Sequence, residues 1–129
     1  MDKAKTYITD EEIINCQKVA DTFSELFDNE GLIILNAGKY GFVKLQYFKF
    51  PFGFDTMDSY YNSKSLFDDL WDEWLHTQLI NLSSDTPMAD MDYDDILKCL
   101  PQETQQKLLG MQKRFAEKAG IEDIPDNIM

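Results

Sequence analysis

The sequence predicts an α+β fold: a small antiparallel sheet of two to three strands packed against four helices, in the order α-β-β-(β)-α-α-α. Three observations carry this expectation. Apolar residues recur at helical spacing near both ends and in the middle of the chain. Residues 32–61 instead show short apolar runs, one of them alternating, between turn residues. The strand-like runs are grouped, not interleaved with helices, which argues against parallel βαβ units. With 129 residues, a single domain over 1–129 is expected. A chain of this size buries about two thirds of its unfolded surface, so a hydrophobic core suffices without metal or disulfide.

The first helix is expected to start at Thr9. Thr9-Asp10-Glu11-Glu12 has the form of a capping box, with Thr9 as N-cap and Glu12 reaching back to it. Cys16, Val19, Ala20, Phe23, Leu26 and Phe27 fall on one arc. Lys18, Asp21, Thr22, Glu25 and Asp28 fall opposite, as an amphipathic helix requires. Asn29-Glu30-Gly31 ends it, with Gly31 suited to a left-handed conformation.

Residues 32–35 read as a short buried strand and 36–41 as a glycine-bearing turn. Residues 42–50 read as a second strand in which Val43, Leu45 and Tyr47 alternate with a wet Lys44 and Gln46. The parity breaks at Tyr47-Phe48, where a bulge is expected. Pro51 and Gly53 turn the chain, and residues 54–61 are a candidate third strand, since a lone hairpin is marginal in water.

The second helix is expected over about 64–80 with Ser63 as N-cap. Leu66, Phe67, Leu70, Trp71, Trp74 and Leu75 form its apolar half. A polar loop over 81–89 leads to a short third helix over 93–100, stopped by Pro101. The fourth helix spans 102–119 with a stripe of Leu108, Met111 and Phe115, and Gly120 stops it. Residues 121–129 read as a loosely held tail.

No dinucleotide fingerprint, P-loop or nucleophile elbow occurs, so no cofactor and no catalytic residue is expected. Cys16 and Cys99 lie in apolar patterns without a neighbouring Cys or His, and both read as buried core thiols. The single histidine, His76, lies among acids on helix two and reads as solvated. Asp90-Met91-Asp92-Tyr93-Asp94-Asp95 begins like a calcium loop. Its sixth position is Asp95 where glycine is needed, and its twelfth is Pro101 where a bidentate Glu is needed. A helix start capped by Asp90 or Asp92 fits better. No apolar stretch in the N-terminal residues or elsewhere suits a signal peptide or membrane span, which gives an expectation of a cytoplasmic chain.

Charge is the outstanding feature. The net charge is −12, and residues 55–95 hold eleven acids against one base, Lys64. Such a surface repels nucleic acid and anionic membrane and favours a basic protein partner. On helix two, Asp68/Asp72 and Asp69/Glu73 are like-charge i, i+4 pairs, which cost a helix a few tenths of a kcal/mol each. Their rise of about 6 Å is comparable to phosphate spacing along a DNA strand. The expected partner-binding face is Asp68, Asp69, Asp72, Glu73, Asp90, Asp92, Asp94 and Asp95. A weaker aromatic candidate is Phe52, Phe54, Tyr60 and Tyr61, from the aromatic-rich hairpin and its sequel.

These features predict a non-enzymatic acidic protein-binding module, an inhibitor of a basic, nucleic-acid-handling protein. Immunity proteins and nucleic-acid mimics such as anti-CRISPR or anti-restriction proteins share this profile of charge and size. The alternative is an accessory or regulatory subunit that binds through its aromatic patch, with acidity serving only solubility.

Overall fold

A computed structural model of the chain describes residues 7–27, 31–49 and 52–122; the side chains at 25, 26, 52, 56 and 57 lie outside the description. The described elements are α1 (Asp10–Phe27), β1 (Leu32–Asn36), a 3-10 turn (Gly38–Tyr40), β2 (Phe42–Lys49), β3 (Phe52–Tyr60), α2 (Ser63–Ser83), α3 (Tyr93–Cys99) and α4 (Gln102–Ala119). The sheet is antiparallel with strand order β1-β2-β3. This is the expected α+β order with the third strand formed.

The helices supply most of the core. Leu66, Phe67, Leu70, Trp71, Trp74 and Leu75 are all buried, as the α2 periodicity predicts. From α1 come Cys16, Val19, Ala20, Phe23 and Phe27, and from α4 Leu108 and Ala116, with Met111 and Phe115 packed partly against them. Phe23 meets Phe67 and Phe115 edge-on, and Phe115 also meets Trp71 and Trp74. Each large side chain so buried contributes about 1.5–3 kcal/mol. Thr22, placed by periodicity on the wet arc, is buried instead. Its hydroxyl donates to the Lys18 carbonyl at 2.7 Å, which satisfies it locally.

Both predicted caps are rearranged. Glu12 N–H donates to Thr9 Oγ1 at 3.1 Å, so half of the capping box forms. The Glu12 carboxylate does not return to Thr9. It accepts from Ser63 N–H at 3.0 Å, from the Ser63 hydroxyl and from Asn15. Ser63 is therefore the first residue of α2, and Asn62 is its N-cap, accepting from Ser65 N–H at 2.8 Å. Glu12 thus satisfies an orphan N–H of a helix 51 residues away in sequence. Asp92 occupies the N-cap position of α3 without a side-chain capping bond. At the far end of α4, Gly120 takes the left-handed conformation expected of it.

The sheet differs from expectation in its facing. In antiparallel pairs, directly opposed residues share a face. Lys44 opposes Ile34 and Phe42 opposes Tyr60, and Lys44, Phe42 and Tyr60 are buried toward the helices. Ile33 opposes Leu45 and Leu35 opposes Val43, on the other face. Ile33 is 39% exposed and Leu35 50%. Residues 32–35 are therefore an edge strand with one open side, and the buried member of the second strand's alternation is Lys44, not Val43 and Leu45. The bulge also moves. The register shifts between Lys44 and Leu45, leaving Met57 of β3 without an opposite residue, whereas Tyr47 and Phe48 pair regularly with Phe54 and Gly53. The expected strand residue Phe50 and the expected turn residue Pro51 lie outside the described residues.

The β1–β2 turn is closed by Gly41, which has φ 97°. A Cβ there would lie 2.5 Å from the Tyr60 carbonyl oxygen, so β3 approaches this turn too closely for any other residue. Cys99, expected in the core, is exposed at the last residue of α3, while Cys16 is buried. Burial, aided by the nearby Glu12 charge, pushes the Cys16 thiol up to about 11. Ile121, expected in the tail, packs partly on the core, its N–H bonded to the Ala116 carbonyl; residues 123–129 lie outside the described ones.

Candidate acidic interface

The acidic residues of α2 divide into two groups. Asp69 and Glu73 lie on the side turned toward β2. The Lys44 ammonium, 4% exposed as a residue, donates to Asp69 at 2.5 Å and to Glu73 at 3.2 Å. The Tyr60 hydroxyl donates to the same Asp69 oxygen. Burial works to lower the Lys44 value, but the bonds and charges of Asp69 and Glu73 outweigh it and hold the ammonium above its ordinary range. Tyr60 is pushed above its ordinary value by burial, then by Asp69, with Asp58 and Glu73 adding to it. The like-charge pair Asp69/Glu73, expected to lack a counterion, is bridged by a buried one. These two acids belong to the fold, with about a third of each side chain still open to solvent.

Asp68 and Asp72 form the outer group, and both are exposed. Asp68 accepts from Lys64 at 2.7 Å, an exposed i, i+4 pair worth a few tenths of a kcal/mol. The Asp72 carboxyl is held above the ordinary value. Lost hydration on the crowded helix is the chief cause; His76 opposes it, and Asp69, Asp68 and Glu73 reinforce it.

His76 connects this group to the next element. Its ring stacks on Tyr93 with centroids 4.1 Å apart and planes 11° from parallel. The solvated histidine expected from sequence is therefore half-covered by the start of α3. The stack forms one wall of an open groove of about 680 Å³, which Ile80, Ser83, Asp92 and Asp94 also line. Asp90 and Asp95 are exposed beside it. The structure thus brings Asp72, Asp92 and Asp94 around one aromatic stack.

The aromatic candidates do not come together. Tyr60 is buried, since it faces the helices opposite Phe42. Phe54 is 53% exposed on the outer sheet face, where it contacts Tyr47 with centroids 5.4 Å apart. Tyr61 is exposed beyond the other end of β3, roughly 23 Å from Phe54 at the rise of a strand. The Phe52 side chain lies outside the described residues. Residues that sequence reasoning passed over are Lys44, the His76–Tyr93 pair, and the outward Ile33, Leu35, Val43 and Leu45. A lysine flanked by aliphatic residues in a short strand was the available sign that the faces could be reversed.

Among the described residues, no group of three or more His, Cys, Asp or Glu is arranged to hold a metal ion, and no helix is long and apolar enough to cross a membrane. Searches against family models, curated proteins and solved structures found no match.

Proposed function

We propose that this chain is a non-enzymatic protein-binding module that captures a basic, nucleic-acid-handling partner through its acidic face and thereby inhibits it. The observation that carries the reading is the junction of α2 with α3. Asp92 and Asp94 are exposed there and Asp72 is exposed one turn before His76, with Asp68 a further turn back along α2; the His76–Tyr93 stack holds the start of α3 against α2. Lys64 is the only base in residues 55–95, so the face is strongly one-signed. A groove in a partner built for phosphates offers the matching charge. Asp69 and Glu73 contribute to the field from behind, already held by Lys44.

The test is affinity capture from native lysate with wild type and with the quadruple variant D68N/D72N/D92N/D94N, at low salt and at about 1 M salt, where the Debye length falls to about 3 Å. A basic nucleic-acid-binding protein that is lost in the variant and at high salt supports the reading. A partner retained in both overturns it. That second result would favour an accessory subunit bound through apolar surface, for which Phe54 and Tyr47 on the open sheet face are the available anchors.

A further inference from the structure

Aromatic, aliphatic and acidic surfaces meet in the groove between α2 and the start of α3. Its volume of about 680 Å³ lies in the range of ligand sites, ~300–1,000 Å³. One wall is the His76–Tyr93 stack. Stacking covers one face of each ring, yet Tyr93 remains 41% exposed, so part of its ring stays open at the wall. Ile80 and Met91 line the groove with aliphatic surface that is also exposed. Asp92 and Asp94 line it as well, and both are exposed.

These two carboxylates differ from the acids of α2 in being unpaired. Lys44 bridges Asp69 and Glu73, and Lys64 pairs with Asp68. Among the described residues, no base pairs with Asp92 or Asp94. Asp92 holds the N-cap position of α3, where an aspartate ordinarily accepts from the helix's first N–H groups. Its side chain makes no such bond. Neither an ion pair nor the helix end uses this carboxylate, and it faces the groove with its charge unmatched.

We propose, resting on the acidic-face reading, that this groove seats one arginine side chain of the basic partner. A guanidinium is planar, so it stacks on an aromatic ring and extends the His76–Tyr93 pair by a further layer. Its fork of N–H donors bonds carboxylates at fixed angles, which suits Asp92 and Asp94. Its methylene stem lies along Ile80 and Met91. A lysine ammonium has no plane to stack and holds its water more tightly, so it gains less here. Anions are repelled by the same two aspartates. The openness of the groove decides between a free cation and a protein side chain. An enclosed pocket covers most of a small ligand, whereas this groove leaves one side of its occupant in water. Contacts outside the groove must add affinity, and a protein surface supplies them by meeting Asp72 and Asp68 further back along α2. Arginine at the centre of an interface, rimmed by weaker contacts, is a common source of binding energy.

The test is a nuclear magnetic resonance titration of the full, isotope-labelled chain with the blocked peptide acetyl-Gly-Arg-Gly-amide. The same peptide with lysine or neutral citrulline at its centre is run beside it. The expected result is saturable shifts of the His76 and Tyr93 ring signals and of the Asp92 and Asp94 amides, with the arginine methylene protons moved upfield by the rings. The lysine peptide should bind ~5-fold more weakly, and the citrulline peptide should not saturate. D92N/D94N should weaken the arginine peptide ~10-fold with an unchanged circular dichroism spectrum. Y93L, which removes the ring and keeps apolar bulk, should weaken it ~5-fold. D68N lies about 12 Å back along α2 from His76, beyond a Debye length at about 0.1 M salt, and should change it less than ~2-fold.

No saturation at the groove up to about 10 mM arginine peptide overturns the proposal. So does unchanged affinity in D92N/D94N. Equal affinity for the arginine and lysine peptides, with shifts spread along α2, also overturns it and leaves a diffuse field without a seat. Groove shifts that grow with protein concentration alone overturn it too, and assign the seat to Arg114, the chain's single arginine, of a second copy. Capture from lysate separates this proposal from the reading on which it rests. Salt-sensitive capture of a basic protein with an inert groove removes the arginine seat and keeps the acidic face. A groove that binds the arginine peptide while no basic protein is captured keeps the seat and removes the inhibitor reading.

Discussion

Lys44 shows how one residue fixes the orientation of a strand. Its ammonium is buried and satisfied by two carboxylates from α2. Replacing it with Met leaves Asp69 and Glu73 facing each other, with Tyr60 as the remaining donor to Asp69. Breaking a fully buried pair costs 3–5 kcal/mol, but these carboxylates are about one-third exposed and recover hydration, so K44M should destabilise by about 2 kcal/mol in urea unfolding. The sign with pH follows from the direction of the shift. Lys44 is held above its unfolded value of about 10.4, so its contribution is complete below that pH and is lost as pH rises through the folded value. K44M should flatten the alkaline limb of the stability profile. Glu12 runs the opposite way. Burial opposes its ionisation, but bonds from Asn15 and Ser63 outweigh it and lower its value. Its contribution is present above about pH 4.3 and is lost as pH falls through the folded value. E12Q should flatten the acid limb. The cysteines give a simpler check. A thiol reagent should modify exposed Cys99 quickly and buried Cys16, pushed up to about 11, only after unfolding.

At the scale of elements, the helices were legible and the sheet was legible only in outline. The apolar arcs of α1 and α2 are broad, so a period of 3.6 stands out and a single exception such as Thr22 does not hide it. β1 is apolar at four consecutive positions, Leu32 to Leu35, so its sequence holds no period-two signal to say which face is buried. β2 alternates clearly, but the phase depends on whether Lys44 finds a partner, and Asp69 is 25 residues away. The capping of α2 was half legible for the same reason. A local cap from the Ser/Asn pair at 62–63 can be read from sequence, whereas Glu12 arriving from 51 residues away cannot. Asn62 holds the cap, so N62A should destabilise by about 1 kcal/mol, while S63A, which keeps the N–H that Glu12 bonds, should cost less. Thermal unfolding of the two variants side by side checks the assignment, and a larger loss in S63A would reverse it.

Across the whole molecule, acidity is concentrated in residues 55–95, where only part of it serves folding. The structure neutralises the inner acids of α2 with Lys44 and leaves Asp72 outside, crowded by Asp68, Asp69 and Glu73. The acidic segment was therefore legible, but its division into inner and outer residues was not, because that division depends on which side of α2 meets the sheet. Asp72 separates the functional reading from a purely structural one. Its carboxyl is held above the unfolded value, so the favourable contribution is present below about pH 3.9 and is lost as pH rises through the folded value. At neutral pH the ionised group opposes folding, chiefly through lost hydration and then through the neighbouring charges of Asp69, Asp68 and Glu73. D72N should therefore raise stability by a few tenths of a kcal/mol, near 0.5 at most. It should also slow association with a basic partner and reduce the salt dependence of that rate, because long-range steering scales with the charge on the face. Urea unfolding and stopped-flow association on one protein sample measure both. A gain in stability coupled to a loss in association is the mark of a residue kept for binding. A loss of stability would place Asp72 with Asp69 and Glu73 among the acids that hold the fold, and the face would be reduced to Asp68 and the acids at the start of α3.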